Sequence, residues 1–169
     1  MSEATPLADH PTGIKLLIMD CDGVLTDGRL YYSSGGEVMK VFHVRDGQGI
    51  ASWHKAGFTS GIITGRDAED ILRQRANDLG IDHLYVRSSD KVRDLESILT
   101  EAGVTAEETA YVGDDLADLS VLARVGFPVA VADAVPEVIA AAAYVTKANG
   151  GHGAVREVTD LLLAAKSQT

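Results

Sequence analysis

The stretch Ile14-Lys15-Leu16-Leu17-Ile18-Met19-Asp20-Cys21-Asp22-Gly23 decides the fold. Its first six residues are apolar except for Lys15, which reads as a mostly buried strand that stops at Asp20. Two carboxylates flanking one residue, set straight after a buried strand, place acidic chemistry at a strand end. Working outward, similar short apolar runs recur at Ser60–Thr64, His83–Val86, Thr109–Val112, Pro128–Val131 and Ala143–Thr146. Between them the apolar residues take helical spacing. Ala68, Ile71, Leu72, Ala76 and Leu79 share one face before Gly80, and Val92, Leu95, Ile98, Leu99 and Ala102 share another before Gly103. Leu116, Leu119, Leu122 and Ala123 form a third stripe closed by Gly126, and Val155, Val158, Leu161, Leu162 and Ala165 a fourth. Apolar strands separated by helices predict a doubly wound, mainly parallel α/β sheet covered on both faces.

The 169 residues, 46% of them hydrophobic, fit one domain with a sizeable core, expected over 14–169. Residues 1–13 are polar, carry Pro6 and Pro11, and are expected to be a flexible segment. They show no basic start followed by an apolar run, so no signal peptide is predicted. No apolar stretch is long enough to span a bilayer. The net charge of −10 removes any broad attraction to nucleic acid or to an anionic membrane, so neither is an expected partner. An anionic substrate would need local donors or a metal ion. The single cysteine, Cys21, rules out an internal disulfide and fits a reducing, cytoplasmic setting.

One segment breaks the alternation. From Arg29 to Val44 two β-rich runs flank Ser33-Ser34-Gly35-Gly36, which predicts a hairpin. Its second run leaves apolar groups on both faces, Val38, Lys40, Phe42 and Val44 against Glu37, Met39, Val41 and His43. Such a hairpin is marginal alone and is expected to make a subunit contact.

In open α/β sheets ligands sit beyond the carboxyl ends of the strands. There the sequence places Asp20 and Asp22, then Thr64-Gly65-Arg66-Asp67, then Lys91 at a helix start, then Gly113-Asp114-Asp115 with Asp118 beyond. Magnesium takes carboxylates, waters and substrate phosphate in octahedral geometry, which Asp20 and Asp114 can serve. Phosphate esters hydrolyse very slowly in water, so neutralising charge in the transition state matters, and Lys91 can do this. An aspartate nucleophile at Asp20 splits the displacement in two, and Asp22 can protonate the leaving oxygen and then activate water. Thr64 can donate its hydroxyl to a phosphoryl oxygen, the Gly65-Arg66 turn can offer backbone N–H groups, and Arg66 can grip an anion. Each residue also has a plain reading. Thr64 or Asp67 can cap the following helix, Asp90 the helix holding Lys91, and Asp115 the helix after it, with Asp118 in solvent. The ordered recurrence of all four groups at strand ends favours the chemistry. No two histidines have the helical spacing of a zinc site. Trp53, beside His54 on a short helix after Gly47-Gln48-Gly49, reads as core.

Asp20-Cys21-Asp22-Gly23-Val24-Leu25-Thr26, Thr64-Gly65-Arg66, Lys91 and Gly113-Asp114-Asp115-x-x-Asp118 together resemble the haloacid dehalogenase superfamily. The resemblance implies Asp20 as nucleophile, Asp22 as general acid and base, and Thr64 and Lys91 as phosphoryl contacts. It implies Mg2+ held by Asp20, Asp114 and the backbone carbonyl of Asp22, with Asp115 in the outer shell or positioning Lys91. A closer resemblance spans Ile14 to about Leu163 through Val44-Arg45-Asp46-Gly47, Ser89-Asp90-Lys91, Val129–Ala134 and Gly150-Gly151-His152-Gly153-Ala154-Val155-Arg156-Glu157. It is to a subfamily of phosphatases acting on an eight-carbon keto-deoxy sugar acid phosphate in lipopolysaccharide synthesis. That subfamily has no separate cap domain and forms homotetramers, in which a neighbour's hairpin and tail close the site. The resemblance implies substrate contacts from Gly65, Arg66, Arg45, Gln48 and His152. Gln48 stands where the subfamily commonly has an aromatic residue or histidine, and His152 where it commonly has arginine.

Three other readings stay open on sequence. A nine-carbon keto-deoxy sugar acid phosphate is a related substrate. A non-catalytic assembly module is disfavoured by the complete acidic set. A phosphoacceptor receiver domain would need its acidic pair before the phosphorylated aspartate, whereas here Asp114 follows Lys91.

Overall fold

The computed structural model describes residues 11–167, so most of the predicted flexible segment, with His10, lies outside the described residues. Six strands form one parallel sheet: β1 (Leu16–Met19), β4 (Thr59–Ile63), β5 (His83–Tyr85), β6 (Thr109–Gly113), β7 (Phe127–Ala130) and β8 (Tyr144–Val145). The other two, β2 (Tyr31–Ser33) and β3 (Gly36–Met39), make the separate antiparallel hairpin. Every run expected to be a strand of the main sheet is one, with ends shifted by a residue or two, but the hairpin's second run, expected to reach Val44, ends at Met39, and Val44 begins the first helix.

The sheet order is β5-β4-β1-β6-β7-β8. The chain therefore builds outward from β1 on one side, then returns to lay β6 against its other edge, with Leu16 paired to both Thr59 and Thr109. β1 and β6 flank the reversal point, the position where doubly wound sheets bind ligands. Both strands are buried along their whole length, as expected for a sheet covered on two faces. The helices are α1 (Val44–Lys55), α2 (Glu69–Leu79), α3 (Lys91–Ala102), α4 (Leu119–Leu122), α5 (Pro136–Ala141) and α6 (Ala154–Lys166), with a 3-10 turn over Leu116–Asp118. α1 packs on α6 and α2, while α4 packs on α3 and α5.

Two further expectations need correcting. The glycines around Gln48 are not a loop before a short helix, because α1 already starts at Val44, with the His43 ring capping Arg45 N–H. Glycine weakens a helix interior, but here it permits close packing. A Cβ on Gly49 would lie 2.4 Å from Thr159 Oγ1 and 3.0 Å from Arg156 Cα in α6. The adjacent Asp46 is buried and accepts the Arg156 N–H at 2.9 Å at the start of α6. Thus Asp46-Gly47-x-Gly49 is a helix-packing device. The second correction concerns Phe42, which is partly buried on its own core beneath the Arg75 guanidinium rather than free on the hairpin.

Candidate active site

The acidic cluster is built from the loops after β1 and β6. Asp20 N–H still pairs with Val112 O, as if β1 continued, and this fixes where the carboxylate leaves the sheet. Gly23, at φ +89°, lets the chain turn under Asp114, since a Cβ there would lie 2.0 Å from Asp114 Oδ2. Oxygens of Asp20, Asp114 and Asp118 all lie within 4.8 Å of one another.

These carboxylates are not equivalent. Asp118 is fully buried, and its oxygens accept from Lys91 Nζ at 2.9 Å, Tyr111 OH at 2.5 Å, Asp114 N–H at 2.9 Å and Asp115 N–H at 3.2 Å. With its acceptor sites taken, it supports Lys91 and the Asp114 turn rather than holding a metal. Burial pushes the Tyr111 hydroxyl well up, so it stays protonated and remains a donor. Asp114 Oδ1, by contrast, is buried without a hydrogen bond. Burial, and then repulsion from Asp20 and the other aspartates, raises Asp114 to about 8. Burial also raises Asp20, to about 6, against the pull of Lys91, whose Nζ lies 3.2 Å from Oδ2. An orphaned oxygen among crowded carboxylates fits an oxygen-liganded divalent cation.

Lys91 is the first residue of α3, and Asp90 before it caps the helix by accepting Val92 and Arg93 N–H at 3.1 Å. The capping role of Asp90 and the active-site placement of Lys91 therefore coexist. Asp115 caps the turn at Leu116, and the residue that holds Lys91 is Asp118, not Asp115 as the resemblance allows; the plain reading that leaves Asp118 in solvent does not hold. Thr64 is buried at the end of β4, and its backbone joins Tyr85 and Ser88. It does not cap α2, and neither does Asp67, which pairs with Arg87 at 2.9 Å.

Asp20, Asp22, Thr64, Gly65, Arg66, Lys91 and Asp114 line one open cavity of about 520 Å3. The other residues named from sequence as substrate contacts lie elsewhere within this chain. Arg45 is exposed in the first turn of α1, and Gln48 lines a separate cavity with Phe42 and Arg75. His152 is exposed, with Nδ1 2.9 Å from Gly150 O, in a loop that docks on the chain's own catalytic loop through Gly151 N–H and Val24 O. Cβ atoms on Gly150 and Gly151 would strike Gly23 O at 1.7 Å and Asp27 N at 2.3 Å, which explains the paired glycines.

The hairpin contributes residues that sequence reasoning passed over. Lys40 Nζ lies 2.7 Å from Asp22 Oδ1 and 2.7 Å from Glu37 Oε1. The Arg66 guanidinium lies 3.6 Å from Asp22 and 3.5 Å from Glu37, and donates to Tyr32 OH at 2.9 Å. Strand alternation puts Glu37 and Lys40 on opposite faces. β3 ends at Met39, however, so Lys40 leaves the pleat and reaches Glu37 in one cluster.

The sheet order and the four strand-end groups define a hydrolase of the haloacid dehalogenase class, and the model of haloacid dehalogenase-like hydrolases matches residues 80–158. The chain is 47% identical to the 3-deoxy-D-manno-octulosonate 8-phosphate phosphatase of Yersinia pestis, over 96% of this chain and 89% of that one. It superposes on the cobalt-bound Haemophilus influenzae deoxy-D-mannose-octulosonate 8-phosphate phosphatase with TM-score 0.91 and 44% identity, covering 94% and 92% of the two chains. The Moraxella catarrhalis phosphatase, solved with magnesium, phosphate and the sugar acid, gives 0.89 and 38% identity, covering 94% and 91%. The chain belongs to the 3-deoxy-D-manno-octulosonate 8-phosphate phosphatase family.

Proposed function

We propose that the chain is a magnesium-dependent phosphatase that converts 3-deoxy-D-manno-octulosonate 8-phosphate to the free sugar acid and phosphate, in lipopolysaccharide synthesis. The observation that carries this reading is the meeting of Asp20, Asp114 and Lys91 at the reversal point of the sheet. Asp20, Asp114 and the Asp22 backbone carbonyl would hold the ion, which supplies positive charge against the phosphoryl oxygens and keeps both carboxylates ionised.

The chain's own residues divide the remaining work. An Asp20 oxygen attacks phosphorus as the bond to the sugar oxygen breaks, and the Asp22 carboxyl gives that oxygen its proton. Lys91 and the Thr64 hydroxyl take up phosphoryl charge, with Gly65 N–H beside them. Asp22, now a carboxylate, accepts a proton from water as the water oxygen attacks phosphorus. The Asp20–phosphorus bond breaks and phosphate leaves. Arg66, over a third exposed at the cavity rim, is placed to meet the substrate's own anionic groups.

The reading extends to assembly in the cytoplasm as a homotetramer. Tyr32, Val38, Met39 and Val41 are exposed on and just after the hairpin strands, at 62%, 59%, 47% and 49%, and offer apolar side chains to a neighbouring subunit. A neighbour docked there would bring its own tail, and residues such as Arg45, Gln48 and His152, toward sites they do not reach within one chain. Light scattering of Val41→Glu should show mass shifted toward monomer, and an unchanged mass would remove the hairpin from the interface.

A phosphate-release screen over sugar phosphates of six to nine carbons, with and without EDTA, tests the function. The expected result is turnover of the eight-carbon acid that EDTA abolishes. Equal rates on every sugar would defeat the substrate assignment, and turnover unaffected by EDTA would defeat the metal.

A further inference from the structure

Asp22 has a buried cation of its own. The Lys40 side chain is 1% exposed, and its ammonium lies 2.7 Å from both Asp22 Oδ1 and Glu37 Oε1. Lysine is almost never buried to this extent unless paired. Burial disfavours its charge, yet two carboxylate oxygens at 2.7 Å hold it as an ammonium.

The two oxygens of Asp22 consequently differ. Oδ1 is held by Lys40, while Oδ2 is buried without a hydrogen bond, 3.6 Å from Arg66 Nε. We propose that Lys40 is a positioning residue for proton transfer. It pins Asp22 Oδ1, leaving Oδ2 to carry the proton, and it accommodates the negative charge that appears on Asp22 when that proton departs. This rests on the reading of Asp22 as general acid and base. As the phosphorus–oxygen bond to the sugar breaks, the Oδ2 proton passes to the leaving oxygen and its electron pair stays on the carboxylate. The ammonium at Oδ1 then meets a full charge at 2.7 Å, a stronger hydrogen bond than before the transfer. Glu37 fixes the far side of the same ammonium from the hairpin, so placing the hairpin also places the acid.

The test compares Lys40→Met with the wild type, each with Mg2+, on the eight-carbon sugar acid phosphate and on p-nitrophenyl phosphate. The alkoxide leaving group needs a proton, and the nitrophenolate does not. In single turnovers that read the first phosphoryl transfer, before the aspartyl-phosphate hydrolysis common to both esters, the expected loss is about 30–100-fold on the sugar phosphate and under about threefold on the aryl ester, with the dependence on substrate concentration nearly unchanged. In an Asp22→Asn background, Lys40→Met should cost nothing more on either ester. Equal losses on both esters would show a structural role and overturn the proposal. So would a rise in KM at constant kcat, which marks a direct substrate contact. Should Lys40→Met fail to fold, Glu37→Gln is expected to show a smaller loss with the same preference for the alkyl ester, and no such preference overturns the proposal. Wild-type protein that releases phosphate from neither ester would defeat the phosphatase reading itself. Wild-type turnover with equal variant losses would defeat only the role of Lys40.

Discussion

Asp20 and Asp22, on the loop after β1, are each paired with a buried lysine, but the two lysines come from different parts of the molecule. Lys91 reaches Asp20 from the first residue of α3, and Asp118 and Tyr111 brace it from below. Lys40 reaches Asp22 from the end of a two-stranded hairpin that carries the exposed apolar side chains Tyr32, Val38 and Met39. The first pair is part of the packed sheet, and its geometry is fixed once the core forms. The second depends on a small element that a few polar contacts tie to the body. On the proposed mechanism, phosphoryl transfer is built into the core, whereas proton delivery is built onto a small element at the edge of the fold.

The largest expected effect breaks or sharpens this division directly. Lys91→Met should lower kcat by about 10^2–10^3-fold on sugar and aryl phosphates alike, because it removes charge stabilisation from the phosphoryl group itself. Steady-state rates on both esters check it. A loss confined to the sugar phosphate would mean that Lys91 serves the leaving group, and the two lysines would then have one role.

The contrast also governs what could be read from sequence. Asp20, Thr64, Lys91 and Asp114 were legible because each falls where a buried strand stops or a helix starts, and hydrophobic periodicity marks those points well. Asp118 was legible as part of a motif but not as a buried group, because four donors from β6, its own turn and α3 converge on it only in the fold. Lys40 and Glu37 were hidden for a different reason. Period-two alternation sets them apart, and only the end of β3 at Met39 lets Lys40 bridge Glu37 and Asp22. The same local bias misread the glycines near Gln48, whose use is set by distant helices: Gly47 lies against Arg75 and Leu79 of α2, and Gly49 against Arg156 and Thr159 of α6. Short helices such as Pro136–Ala141 passed unnoticed because two turns are too few to establish a period.

A smaller effect separates the two regions by pH. In the metal-free protein, burial and mutual repulsion raise Asp114 to about 8 and burial raises Asp20 to about 6, both from the ordinary aspartate value of 3.8. The folded chain therefore holds protons that the unfolded chain has already released, so folding stability falls as pH rises from about 4 towards 8. In EDTA, thermal unfolding followed by circular dichroism should show Tm falling over that range. Asp114→Asn should flatten the slope, since it removes the more strongly raised carboxyl and the main repulsion on its neighbour. Magnesium should restore stability most at the upper end, by about 2.7 kcal/mol at a hundred times its dissociation constant, because it binds the ionised form. A metal-free Tm that rises through this window would mean that the carboxylates on the sheet side are already compensated without a cation. The strain now assigned to Asp20 and Asp114 would then have to be sought on the hairpin side, where Lys40 already supplies a positive charge.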